Sequence, residues 1–520
     1  MKRLINFAYL FFAITGLGFS GCNLKPVSNQ GPVVETSSGE VSGTFNDGVY
    51  AFLGIPYAKA ERFMPPQDHD AWGGILECKD FGPVAKQVVP WYPDSIQNED
   101  ELFSVNVWTQ GLKDEKKCPV MLWMHGGGFH IGASNDPMTY GEALAKKGDV
   151  VFVSLNHRLN ILGFLDLSAY GDKYAQSANV GMLDIVKALE WIQNNIENFG
   201  GNPNDVTIVG ESGGGGKVGT LMCMPAARGL FHKAIIQSGT LINTMDKERS
   251  QALGMAVLEN LGLTASEVEK LDTVAYLALV KAGNDAIARL SGPRLPGAAT
   301  MYGFAPSADG EVLVQQPFSP GFADFSDEIP LLMGTTLNEM MPVFYGEKEL
   351  TMEQAKERLE LDYGDDADKF IALFAAAYPD FTPQDLLSID KVFRPYTIRT
   401  ADAWSGESKA PVFVYFLGWK SGVDDASKGS FHGLDIPLAF NTVDLRADWT
   451  GNTKEAWEMA DIMSSAWINF IKTGNPNVEG VLPVWEPYTS GNGATMFFDD
   501  ECMILSNHDR ALMNFIRPLD

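Results

Sequence analysis

The sequence predicts an α/β fold with a mostly parallel sheet, and three observations carry that prediction. Short, continuously apolar runs recur at 120–124, 150–155, 206–209, 234–237, 329–333 and 412–417, as expected of strands covered on both faces. Between them lie segments of helical period such as 181–199, where Met182, Ile185, Val186, Leu189 and Ile192 return every three or four positions. Strand and helix alternate without an internal repeat or low-complexity linker, which predicts one continuous domain over 33–520. Of the 520 residues, 45% are hydrophobic and 20% charged, enough for a large core and too apolar for a disordered chain.

In chain order, residues 1–21 read as an export signal. Lys2 and Arg3 precede an apolar stretch over 4–19, shorter than the roughly 20 residues a spanning helix needs. Phe19-Ser20-Gly21-Cys22 resembles a bacterial lipobox, which would make Cys22 the lipid-modified first residue of the mature chain and 22–32 a tether. Phe19 stands where leucine is usual, and plain secretion is the alternative. The expected location is the periplasm or the outer-membrane or cell surface, with membrane contact only through the anchor. Lys plus Arg total 39 against 66 Asp plus Glu, and the net charge of −27 would repel phosphate backbones, so nucleic acid is not an expected partner. Oligomeric state is not legible. Cys78, Cys118, Cys223 and Cys502 show no framework spacing and are expected to be buried thiols. Two stretches, 245–290 and 350–403, read as helical insertions above the sheet. The second opens on a capping-box pattern at Thr351 and Gln354 and carries another helix start at Thr382-Pro383.

The chemistry concentrates at Gly210-Glu211-Ser212-Gly213-Gly214. The motif alone is short; its position, directly after the predicted strand ending at 209 and before a helix-like run over 217–223, is the setting of a strained turn that exposes a nucleophilic serine. A serine hydroxyl needs a base, and the base needs an orienting carboxylate, in the chain order Ser, acid, His for such a turn. Of seven histidines only His432 and His508 lie late enough, and His432 sits on a loop after the strand 412–417 whereas His508 lies near the terminus. Glu339 leaves the end of the intervening strand and is the expected acid, with Asp309 and Asp435 as competitors. His125-Gly126-Gly127-Gly128-Phe129 follows another strand, and Gly127, Gly128 and Gly213 are expected to aim backbone N–H groups at a developing oxyanion. A phosphate-binding loop is the rival reading of these glycines, and it lacks the Lys-Ser/Thr ending.

With these motifs, the chain resembles the type-B carboxylesterase and lipase family, which includes the cholinesterases. The likeness spans about 34–516 through Phe52-Leu-Gly-Ile-Pro-Tyr-Ala58 with Arg62-Phe63, Asn156-His-Arg-Leu-Asn-Ile-Leu-Gly-Phe164, 178–212, Ile236-Gln-Ser-Gly239 and His432-Gly433. The resemblance implies an α/β-hydrolase fold in which helical insertions form a gorge leading to Ser212, Glu339 and His432. It further implies Ser238 as a partner of the acid and Trp91 as a gorge aromatic; beside these, Glu211 is expected next to the triad, and Phe129 and His130 as further aromatic walls of a substrate pocket. The implied activity is hydrolysis of small or medium carboxylic esters through an acyl-serine, with no metal or cofactor. Two departures stand out. Asp100-Glu-Leu-Phe-Ser-Val-Asn106 carries Leu102 where the family usually has cysteine, and Ala85 stands at the usual partner position, so that disulfide should be absent and the loop around Trp91 less constrained. Gly213 replaces the alanine that many relatives have after the nucleophile. A non-catalytic adhesion module of the same fold is the alternative, disfavoured because every catalytic position is filled. A serine peptidase would usually carry a separate propeller, and no blade-like repeat is present.

Overall fold

The computed structural model describes residues 31–517 apart from 114, 242, 293–301, 319–320, 341–349 and 427. The export signal over 1–21, Cys22 and most of the tether therefore lie outside the described residues.

Eleven strands form the central sheet. In chain order they are β1 (Thr44–Asn46), β2 (Val49–Pro56), β3 (Ser104–Thr109), β4 (Cys118–Met124), β5 (Val151–Leu155), β6 (Gly201–Glu211), β7 (Lys233–Gln237), β8 (Leu331–Thr336), β9 (Val412–Leu417), β10 (Ala494–Phe498) and β11 (Met503–Ser506). Edge to edge they run β11-β10-β9-β8-β7-β6-β4-β5-β3-β2-β1. From β10 across to β5 every pairing is parallel. The outer pairings, β5 with β3, β3 with β2, β2 with β1 and β10 with β11, are antiparallel. All six apolar runs singled out in the sequence lie in the parallel part.

Alternate side chains feed two cores. Val120, Leu122 and Met124 of β4 enter one cluster with Ile208 of β6 and Val414 of β9. Met121 and Trp123 enter the opposite one with Val209, Phe413 and Tyr415. Burial of each such side chain contributes about 1.5–3 kcal/mol, and covering both faces accounts for strands without a polar face. The helix Val180–Asn195 lays Met182, Ile185, Val186, Leu189 and Ile192 on the first cluster. Its buried Asp184 grips Arg158 through Nε at 2.9 Å and Nη2 at 2.6 Å, fixing the chain that leaves β5.

The insertions are helical as expected: Lys247–Asn260 and Tyr276–Ser291 in the first, Met352–Tyr363, Ala367–Ala377, Pro383–Ser388 and Arg394–Glu407 in the second. Both predicted caps form, Thr351 exchanging hydrogen bonds with Gln354 and Thr382 with Asp385. The second insertion has its own core, in which Leu359, Phe370, Phe374 and Leu386 meet Leu512 and Met513 of the C-terminal helix.

Two expectations need correction. The helix after β6 starts at Gly213, not at 217. The glycine run penalises a helix by about 1 kcal/mol per residue relative to alanine, but backbone crowding requires it: a Cβ at Gly213 would lie 2.2 Å from Gly128 O, and one at Gly214 2.1 Å from Met124 O. Among the described cysteines no disulfide forms, and of these only Cys78 and Cys223 are buried. Cys118 opens β4 beside Asp149, and Cys502 sits in the turn between β10 and β11, so both keep partial exposure. Leu102 and Ala85, the positions of the missing disulfide, are instead buried in the first core cluster.

Candidate active site

Ser212 occupies the turn between β6 and the helix Gly213–Leu221 with φ +56° and ψ −123°. A non-glycine residue in such a region costs about 1–3 kcal/mol and persists only where its surroundings hold it. Here its N–H donates to Gln237 O of β7 at 2.8 Å and its carbonyl accepts from Gly216 N at 3.0 Å. A Cβ at Gly210 would lie 2.3 Å from the carbonyl carbon of Gly214, which gives the first glycine of the motif its reason.

Glu339, fully buried, follows β8. Its Oε1 accepts from Thr336 N at 2.7 Å, and its Oε2 meets Nδ1 of His432 at 2.5 Å. The backbones agree, His432 N donating to Glu339 O at 2.9 Å. Next to the acid, Asn338 ties the same loops together, its N–H reaching Ser430 O and its Oδ1 receiving Ser430 N, both at 2.8 Å. Phe393, at the start of the helix Arg394–Glu407, stacks on the His432 ring with centroids 5.4 Å apart and planes 3° from parallel. The competitors are engaged elsewhere. Asp309 accepts backbone N–H groups of Glu311, Val312 and Leu313 in a turn, and Asp435 receives Gln237 Nε2 at 2.9 Å and Tyr415 OH at 2.6 Å. His508 lies beside Asp509 under the second insertion.

The far nitrogen of His432 holds a feature the motif does not announce. Nε2 lies 3.2 Å from Glu211 Oε1, and no hydrogen bond joins it to Ser212 Oγ, one residue further along the chain. Burial pushes Glu211 up to about 8, against the opposing pull of His432. For His432 burial acts downward, yet the carboxylates of Glu211, Glu339 and Asp435 outweigh it and raise the imidazole. With His432 as the expected base, only its neutral imidazole can take a proton, so an anion beside Nε2 would confine activity to higher pH. Glu211→Gln is therefore expected to shift the acid limb of the kcat/KM profile to lower pH, by about one unit or more for a charge at this range. A limb that stays put or moves upward would contradict this arrangement.

The oxyanion loop continues from β4. Gly127 and Gly128 have φ of +86° and +64°, which glycine alone adopts freely. The loop's carbonyls are held from outside: His125 O by Lys217 Nζ at 2.8 Å, Gly127 O by Ile131 N at 3.2 Å and Phe129 O by Asn160 N at 2.7 Å. Among the described residues the N–H groups of Gly127, Gly128 and Gly213 have no acceptor, so all three are free to donate.

A cavity of about 190 Å³ adjoins this loop, lined by Trp91, Tyr92, Trp123, Gly126, Gly127 and Glu211 among others. Trp91 is 64% exposed at its rim. Phe129 and His130, expected as further pocket walls, do not line this cavity: Phe129 is buried against Phe164, and His130 is exposed. The loop bearing Trp91 is better braced than the missing disulfide suggested. Gln87 bonds Gly132 in both directions, at 2.9 and 3.0 Å, and its N–H donates to Gln97 Oε1 at 2.8 Å, while Lys86 pairs with Asp94. The expected bond from Ser238 to the acid is not formed; its buried hydroxyl has no partner among the described residues, and Thr336 N takes that place on Glu339.

Lys217, Phe393 and Gln87 were not read from the sequence. Lys217 had one signal, its place in an otherwise small and apolar run, Gly216-Lys217-Val218.

Known proteins match this arrangement along nearly its whole length. A profile described as "Carboxylesterase family" matches residues 30–377 and 381–514. The para-nitrobenzyl esterase of Bacillus subtilis is 34% identical over 490 residues, covering 91% of this chain and 96% of that protein. The phenmedipham hydrolase of Pseudarthrobacter oxydans is 29% identical, covering 90% and 95%. Among solved structures, an esterase from Clostridium hathewayi, described as hydrolysing aliphatic aromatic polyesters, superposes with a TM-score of 0.83 at 36% identity, covering 94% of this chain and 98% of its own. A strained serine after β6 with a glycine loop packed against its turn, and a buried carboxylate on a histidine, thus come with shared sequence over more than nine-tenths of the chain, and the protein belongs to the carboxylesterase family.

Proposed function

We propose that Ser212 is the nucleophile, His432 the base, Glu339 its orienting carboxylate, and Gly127, Gly128 and Gly213 the oxyanion donors of a carboxylic ester hydrolase. The observation that carries this reading is the strained φ of +56° at Ser212, directly ahead of a helix N-terminus and flanked by the glycine loop. In the first half-reaction His432 Nε2 turns from Glu211 to Ser212 and takes the Oγ proton as Oγ bonds to the ester carbonyl carbon. Negative charge collects on the former carbonyl oxygen, where three N–H groups meet it, and the imidazolium is stabilised by Glu339 across the 2.5 Å contact. The imidazolium then passes its proton to the departing alkoxide, leaving an acyl-serine. A water molecule, deprotonated by the same nitrogen, attacks this ester, and the acid leaves as Ser212 regains its proton.

The cavity beside Trp91 suggests the substrate class. At about 190 Å³ it is near the roughly 150 Å³ that holds a benzene ring, so it suits a short alkyl or single-ring group on one side of the ester. The naming of the B. subtilis relative for para-nitrobenzyl esters is consistent with a single-ring group. Two substrate series test this, one enlarging the alcohol and one the acyl group. One series should lose about tenfold or more in kcat/KM when the group passes from one ring to three fused rings. Equal tolerance in both series would refute the assignment.

A further inference from the structure

Lys217 is fully buried one turn into the helix that starts after Ser212. Its Nζ donates to His125 O at 2.8 Å and lies 5.9 Å from the centre of the Phe129 ring. The groups that act on it or feel its charge are Glu211, His125, His130 and His157, of which His125 and His157 are fully buried and stacked 5.2 Å apart. An ammonium at such a place is costly, because desolvation takes several kcal/mol and an apolar side chain of the same length would avoid it. Burial accordingly pushes Lys217 down to about 7, against the opposing pull of Glu211, and keeping an amine at so dry a place calls for a benefit elsewhere.

The loop supplies one. Gly126, Gly127 and Gly128 have no side chains, and two of them adopt positive φ, so nothing local defines their peptide planes. Those planes are set by anchors on the carbonyls. Downstream the anchors are plentiful: Ile131 N and His130 N on Gly127 O, Asn160 N on Phe129 O and Asn160 Nδ2 on His130 O. Upstream, where the chain leaves β4, the anchors are the imidazole Nδ1 of His125 on Gly126 O at 2.9 Å and Lys217 on His125 O. In either protonation state the Lys217 amine has an N–H to give to His125 O at this distance. Resting on the reading of Ser212 above, we propose that Lys217 is a positioning residue of the oxyanion hole: by clamping His125 O from below, it aims the N–H groups of Gly127 and Gly128 at the oxygen that gains charge.

The test compares a trifluoromethyl ketone, which adds to Ser212 and leaves an oxyanion, with its methyl ketone isostere, which binds without doing so. In Lys217→Met the trifluoromethyl ketone should bind about 10- to 100-fold more weakly, with kcat falling by the same factor, since displacing a donor costs less than the 10²–10³ of deleting one. The methyl ketone Kd and KM should stay within about threefold, because ground-state binding does not use the oxyanion donors. The melting temperature should hold or rise. Lys217→Gln, whose N–H falls one atom short of the same carbonyl, should lose about half as much on a logarithmic scale and reports the same ratio if the methionine variant does not fold. An unchanged ratio between the two ketones, or equal weakening of both, overturns the role of Lys217. Failure of the wild-type enzyme itself to form the adduct would overturn the reading of Ser212 instead.

Discussion

Ser212→Ala should lower kcat on the order of 10⁶-fold while leaving KM and the melting temperature close to those of the wild type. That factor corresponds to about 8 kcal/mol of transition-state stabilisation. The loss is this large because His432 and Glu339 act only through the hydroxyl; without it, what remains is the oxyanion hole and substrate binding. Alanine retains the backbone bonds to Gln237 O and from Gly216 N, so the strained turn should survive. Stopped assays on a phenyl ester, with a fluorophosphonate as a second readout, measure the effect: labelling should be stoichiometric in the wild type and lost in the variant. Turnover of the variant within tenfold of the wild type would remove Ser212 from the mechanism.

Glu339→Gln should cost about 10⁴ in kcat, the effect known for neutralising the orienting acid of such a triad. The bonds around Glu339 give the reason. Oε1 must accept from Thr336 N–H, so the amide oxygen of glutamine belongs there and its NH₂ faces His432 Nδ1 in place of Oε2. Nδ1 must then accept, which puts the proton on Nε2, the nitrogen that has to receive one from Ser212. Raising the pH does not correct a tautomer, so the deficit should persist across the profile. Asp435→Asn is the control. That carboxylate bonds Gln237 and Tyr415 and not the imidazole, and the variant should stay far more active than Glu339→Gln. The reverse ranking would make Asp435 the orienting acid.

The sheet, the strained turn at Ser212 and the meeting of Glu339 with His432 rest on residues legible in the sequence, because each is written in local chemistry. Strands buried on both faces have to be apolar throughout, as at 120–124 and 412–417, and a serine on a strained turn needs small neighbours, as at 210–214. The strands β1, β2, β3, β10 and β11 were not singled out: β1 and β11 keep exposed side chains, and the buried β3 and β10 interleave polar residues such as Asn106 and Thr495, which breaks the continuous apolar signal. What depends on which side chains face each other was less legible. Glu211 against Nε2 of His432 and Phe393 on its ring join residues far apart in the chain, while Thr336 reaches Glu339 from three residues away in the place expected of Ser238. Lys217 carries a charge and would ordinarily be assigned to a solvated helix face. It is buried because the oxyanion loop folds over the first turn of that helix. Phe129 misled in the opposite sense, an aromatic beside the glycine loop that packs inward against Phe164.

The contact between Gly213 and Gly128 binds the history of two positions together. The volume an alanine methyl would need after the nucleophile is already filled by main chain from across the site, with Gly128 N and Cα both 2.3 Å from where that methyl would start. An alanine at this position fits only once the opposing main chain at Gly128 has retreated. Chimeras that splice the helix of an alanine-bearing relative onto this loop would inherit halves of two incompatible hinges.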